Sequence, residues 1–237
     1  MNIAQALTYV FDDREWATKA GICAVIAFVS FLLTPVLLGL VGWAILMGYQ
    51  VSLVRNMRAG MTHPLPTWDN FDRYLSAGGN ALIAFVIYNL PNIIIGIVLG
   101  FGFGVIGDAP FTGGVVLTSI TCCLLPFILV YNIIVYPMFA LGMGRYVDEP
   151  QTATFFDISS LFALLRLHTD KAIKWLVASL LVGLLLALVA LIPCVGQIAA
   201  LALATPIFGH LVGQFTTQVL GKPIKRKPQP RPGPRAR

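Results

Sequence analysis

The chain has 237 residues, of which 57% are hydrophobic and 11% charged, with a formal net charge of +6. So few charges do not cover the surface of a soluble domain of this length. The apolar residues instead gather in four blocks free of Asp, Glu, Lys and Arg: Ala20 to Val54, Leu75 to Gly107, Ala109 to Gly144 and Trp175 to Gly221.

Each block exceeds the roughly 20 residues that cross a bilayer core about 30 Å thick. None has the short alternating strands of a membrane barrel. In chain order, the first fifteen residues carry Ile3, Leu7, Val10 and Phe11 at helical spacing, which predicts a short amphipathic helix along the membrane surface. Asp12, Asp13 and Glu15 stand where a secretory leader would be basic, so the first apolar helix is expected to remain in the mature protein. Pro35 interrupts the first block and predicts a tight turn between two helices.

The stretch from Gly48 to Phe71 follows. Arg55 and Arg58 sit at the end of the second helix, where cations suit the helix dipole. Gly60 can end that helix, Pro64 and Pro66 enforce an extended segment, and Trp68 suits the headgroup level. This stretch closely resembles the membrane family known as domain of unknown function 4013, through Gly48, Tyr49, Arg55, Asn56, Gly60, Pro64, Leu65, Pro66, Trp68 and Asp69. The resemblance extends more loosely to about residue 220 and implies a membrane location and a helical fold without supplying a reaction. Thr67 departs from the acidic residue expected before the tryptophan, and the basic tail lies outside the pattern.

Thr67 is the expected N-cap of a second surface helix carrying Phe71, Tyr74 and Leu75. A third membrane helix is predicted from about Gly79 to Val105 and a fourth from about Val115 to Leu141, divided at Gly107-Asp108-Ala109-Pro110. Gly102 to Gly107 matches the letters of a dinucleotide fingerprint, but an apolar helix leads in and residues 115 to 135 carry no carboxylate. Gly96, Gly100 and Gly104 read better as two G-x-x-x-G steps that admit a close helix, internal or from a second protomer. Asn89, Asn92, Tyr131 and Asn132, beside Pro91 and Pro137, predict either kinked helices tied by hydrogen bonds or a small polar cavity.

A third surface helix is expected from Asp157, with Ile158, Leu161, Phe162 and Leu165 on one face. The Leu191 to Gly196 stretch then turns the last block. The tail from Lys222 to Arg237 holds seven basic residues and five prolines, which predicts a disordered segment. Within it Lys225, Arg226, Lys227 and Arg231 are expected to contact anionic lipid or an acidic protein partner. Nucleic acid is not expected there, because no aromatic residue is present to stack bases.

These elements predict an all-α polytopic membrane protein with six transmembrane helices in three hairpins (about 16–55, 79–144 and 172–220). Each hairpin is preceded by a short interfacial amphipathic helix, and residues 1–221 form the membrane domain ahead of the cytoplasmic tail, 222–237. All 16 Lys and Arg residues then fall on one side, which places both termini in the cytoplasm of a prokaryotic cell beneath its plasma membrane. Cys23, Cys122, Cys123 and Cys194 lack C-x-x-C spacing and read as packing residues. The three histidines, His63, His168 and His210, lie in different segments, and the acidic residues cluster only in surface loops. No cofactor, metal or catalytic set is therefore expected. The reading that follows is a non-enzymatic scaffold, assembly or interaction component, with membrane lipids as surroundings and self-association open. A small permease or channel-like transporter is the alternative, and a membrane-embedded lipid-processing enzyme comes third.

Overall fold

Pro35, which has no amide hydrogen, ends the first apolar helix. In the computed structural model, which describes residues 1–106 and 112–221, the turn is a single 3-10 segment, Thr34–Val36, followed by Leu37 with φ of 63°. The chain begins with α1 (Ile3–Thr8), then α2 (Trp16–Leu33) leads into that turn and α3 (Gly39–Arg58) packs back along α2. Next come α4 (Phe71–Tyr88), α5 (Leu90–Ile106) and α6 (Thr112–Asp148). The last part holds α7 (Ala153–Phe156), α8 (Ile158–Leu167), α9 (Thr169–Ala190) and α10 (Val195–Leu220). The described residues contain no strand.

Four of these segments are long and apolar enough to cross a bilayer: Trp16–Val36, Thr118–Asp148, Thr169–Ala190 and Val195–Leu220. A fifth is obtained if α4 and α5, bent by 58°, count as one. The expected third helix, Gly79 to Val105, is therefore two helices meeting at Asn89. Pro91 explains the break, since its ring and missing amide interrupt the helical ladder. The expected second surface helix is corrected too. Phe71, Tyr74 and Leu75 belong to the first turns of α4, whose N-cap is Asn70 rather than Thr67.

α3 is not among the span candidates, and its position accounts for its composition. It lies at the centre, packed against α2, α4, α6 and α10. Tyr49, Val51, Leu53 and Val54 are wholly buried there. A helix surrounded by protein need not be as apolar as one facing lipid.

The short helices are anchored by specific bonds. The inward side of α1 and of the 3-10 turn that follows it, Tyr9–Asp12, is Ala6, Tyr9 and Val10, while Phe11, expected on that face, is half exposed. Tyr9 stacks on His210 of α10 with ring centroids 4.1 Å apart, and its hydroxyl donates to the Pro206 carbonyl at 2.8 Å. Gln214 brackets the Asn2 backbone, accepting from its N–H at 2.8 Å and donating to its carbonyl at 3.0 Å. α8 starts where expected, with the Asp157 carboxylate accepting from the Ser160 amide at 3.3 Å. Leu161 is its buried residue, and Ile158 and Phe162 remain about half exposed.

Candidate functional site at the basic end of the bundle

The residues that carry the family resemblance come together where α3 ends and α4 begins. A Cβ at Gly48 would stand 1.9 Å from the Tyr74 carbonyl oxygen, and one at Gly78 would stand 1.7 Å from the Ala44 carbonyl oxygen. The two helices thus touch backbone to backbone. Tyr49, the next residue on α3, stacks on Trp68 at 4.5 Å and donates to the Pro66 carbonyl at 3.2 Å.

The loop between the helices is held by the same residues. Gly60 follows α3 in the left-handed region, φ of 75°, a conformation glycine adopts without a steric penalty. Asn56 donates to the Pro64 carbonyl at 2.9 Å, and Pro64, Leu65 and Pro66 are buried. Tyr74 donates to the Thr67 carbonyl. The Trp68 indole N–H donates to the Lys19 carbonyl at 3.1 Å, tying the loop to α2. Lys19 itself is buried and pairs with Asp13 at 2.7 Å. Burial works against ionisation of Asp13. The Lys19 ammonium and the Glu15 amide outweigh it and hold the carboxyl below its ordinary value.

Arg58 stands in the last turn of α3 as expected, and it does more than its position predicts. Its guanidinium is only 1% exposed. It donates to the Gly144 carbonyl at 2.6 Å, to Asp148 at 2.8 Å and to the Gly221 carbonyl at 3.2 Å. One side chain therefore joins the ends of α3, α6 and α10. Its place at the end of α3 is legible in the sequence, whereas its pairing with Asp148, 90 residues on, is set by the tertiary structure.

Arg55 and Arg73 stay free of any ion pair among the described residues. With Ser52, Asn56, Thr67 and Asn70 they line a polar cavity of about 180 Å³.

The asparagines lie farther along the bundle and bond chiefly to one another. Asn92 donates to Asn132 at 2.9 Å and accepts in return at 3.3 Å, joining α5 to α6. Asn92 also donates to Asn89 at 3.1 Å, while Asn89 and Asn132 each donate to a carbonyl one turn back in their own helices. Tyr131 donates to the Tyr88 carbonyl at the α4–α5 break at 2.7 Å. Gly96 and Gly100 face open space: a Cβ at either meets nothing within 4 Å. The described residues supply no close helix at those two glycines. The side of Gly104 and the tail residues Lys225, Arg226, Lys227 and Arg231 lie outside the described residues.

Among the described residues, no three His, Cys, Asp or Glu side chains gather in a geometry that could hold a metal ion. The sequence pattern of the family described as protein of unknown function (DUF4013) matches residues 28–195, from the middle of α2 to the start of α10. No curated protein and no solved structure matches the chain.

Proposed function

We infer that this chain, which belongs to the DUF4013 family of proteins of unknown function, is a non-enzymatic integral membrane protein that acts as a scaffold or interaction component. The observation that carries this reading is how the polar groups within the apolar helices are used. Asn89, Asn92, Tyr131 and Asn132 would be the lining of a polar passage, yet they bond one another and nearby carbonyls. That pattern suits a closed bundle better than an open path. The nearby cavity of about 510 Å³ is walled mainly by Leu40, Trp43, Leu46, Met47 and Phe85, which offer a solute little to exchange for its water.

Beyond the asparagines, α5 packs mainly on α6. Ile97, Val98, Phe101 and Phe127 there are more than half exposed. In the scaffold reading this two-helix arm meets another integral protein within the bilayer. A photo-crosslinking side chain at position 97 or 127 of the full chain, activated in native membranes, is expected to yield discrete protein adducts. Adducts with lipid alone at both positions would reject the reading.

Six crossings follow if α3 spans as a buried central helix, alongside α2, the bent α4–α5 pair, α6, α9 and α10. An even count puts both termini on the face that collects the basic residues, the cytoplasmic side by the positive-inside rule. Single cysteines at positions 61 and 230 of a cysteine-free chain should then react with a membrane-impermeant label only from the cytoplasm, and one at position 109 only from outside. Labelling of 61 and 230 from opposite faces would remove the six-span arrangement.

A further inference from the structure

We propose that Arg55 and Arg73 form a binding site for a phosphoryl anion at the basic end of the bundle. The site is built from three pieces of chain. Ser52, Arg55 and Asn56 share one side of the last turns of α3, being three and four residues apart. The segment fixed by Pro64 and Pro66 contributes Thr67, and the start of α4 contributes Asn70 and Arg73. With Pro66 and Tyr74 they line the polar cavity of about 180 Å³, which is partly open. At about 30 Å³ for each water, that space admits a tetrahedral anion with a few waters around it.

The charges in this space are unbalanced. Arg55 is partly buried, and Arg73 stands within electrostatic reach of it. Asp69 and Asp72 are close in sequence, but neither pairs with either guanidinium; the ion pairs of the described residues involve Lys19, Arg58 and Arg145. Neighbouring cations without a counter-ion repel, more so where burial weakens solvent screening. An anion between them removes that repulsion.

The donor set suits a phosphoryl group in particular. Each guanidinium presents a planar fork of N–H groups that matches two oxygens at once. Asn70 is the N-cap of α4, yet its side chain makes no capping bond, so the first amides of this 18-residue helix keep their capacity to donate. By contrast, Asn2 and Asp157 do cap their helices with their side chains.

The phosphoryl group could come from a lipid headgroup or from a soluble phosphate, and the test has an arm for each. Thermal unfolding of the purified full chain in a neutral detergent is followed in sodium phosphate and in sodium chloride of equal ionic strength. It is also followed in nanodiscs of phosphatidylcholine with and without phosphatidic acid. Wild-type protein is expected to gain melting temperature from phosphate, from phosphatidic acid, or from both. Arg73→Gln should require at least about tenfold more of the same probe for an equal gain, the scale of one lost charge-assisted hydrogen bond. Arg73 is exposed and makes no bond within the bundle, so this variant should fold. Arg55→Lys, which keeps the charge and loses the fork, should also weaken the gain.

A response to phosphate in detergent identifies a soluble ligand class, and a response confined to phosphatidic acid identifies a headgroup. The basic tail is the same in every protein compared, so it cannot produce a difference between them. Equal responses of wild type, Arg73→Gln and Arg55→Lys to both probes, or no response in any of them, would overturn the proposal. The scaffold reading would stand in either event, because its crosslinks are sought on α5 and α6.

Discussion

Arg58→Met is expected to cost the full chain about 3 to 5 kcal/mol of stability, read as a lowered unfolding temperature in detergent. That is the range for removing one partner of a buried ion pair. The guanidinium is 1% exposed and its partner Asp148 22% exposed, so solvent compensates little for its loss. Three acceptors each lose a charged donor at once: the Asp148 carboxylate and the carbonyls of Gly144 and Gly221. The second Asp148 oxygen is already buried without a partner, so the carboxylate has no local substitute. Adding Asp148→Leu to Arg58→Met should return part of the loss, because removing both members of a buried pair leaves no stranded charge. If Arg58→Met alone melts with wild type, the joint between α3, α6 and α10 does not depend on this side chain.

The second large effect is expected at the α3–α4 contact. Gly78→Val should destabilise the fold by at least about 3 kcal/mol, the upper end of the usual cost of overpacking. The atoms in the way are the Ala44 carbonyl at 1.7 Å and the Gly48 amide nitrogen at 2.4 Å. Neither belongs to a side chain that can rotate aside. Even Gly78→Ala places its methyl carbon at that position, so it too should destabilise. Separating the helices would also disturb the stack of Tyr49 on Trp68, because those two rings bridge the same joint. Gly100→Ala is the matched control, since a Cβ there meets nothing within 4 Å. Equal melting of Gly78→Ala, Gly100→Ala and wild type would mean that α3 and α4 are not in backbone contact.

The contrast between these glycines shows what was legible along the chain. Gly96, Gly100 and Gly104 attract notice because they recur every four residues in one helix. Gly48 and Gly78 form the internal contact although 30 residues separate them, and neither has a glycine three or four residues away in its own helix. A local clue existed, since Ala44 and Gly48 make a small-x-x-x-small pair in α3. Nothing local specified α4 as the helix that uses it.

Arg58 and Asn92 divide in the same way. Sequence alone established the apolar blocks, the proline and glycine breaks, the polar residues that need partners inside apolar helices, and the family resemblance around Trp68. It also identified the start of α8 at Asp157, because a cap is a bond between near neighbours. Which partner each remaining group takes was decided by tertiary structure: Asn132 for Asn92 across 40 residues, and Asp148 and Gly221 for Arg58 across 90 and 163. Spacing along a chain determines which residues share a helix face. Which faces meet depends on where close backbone approach and mutual hydrogen-bond satisfaction occur together, and both are set by the packing of the whole bundle.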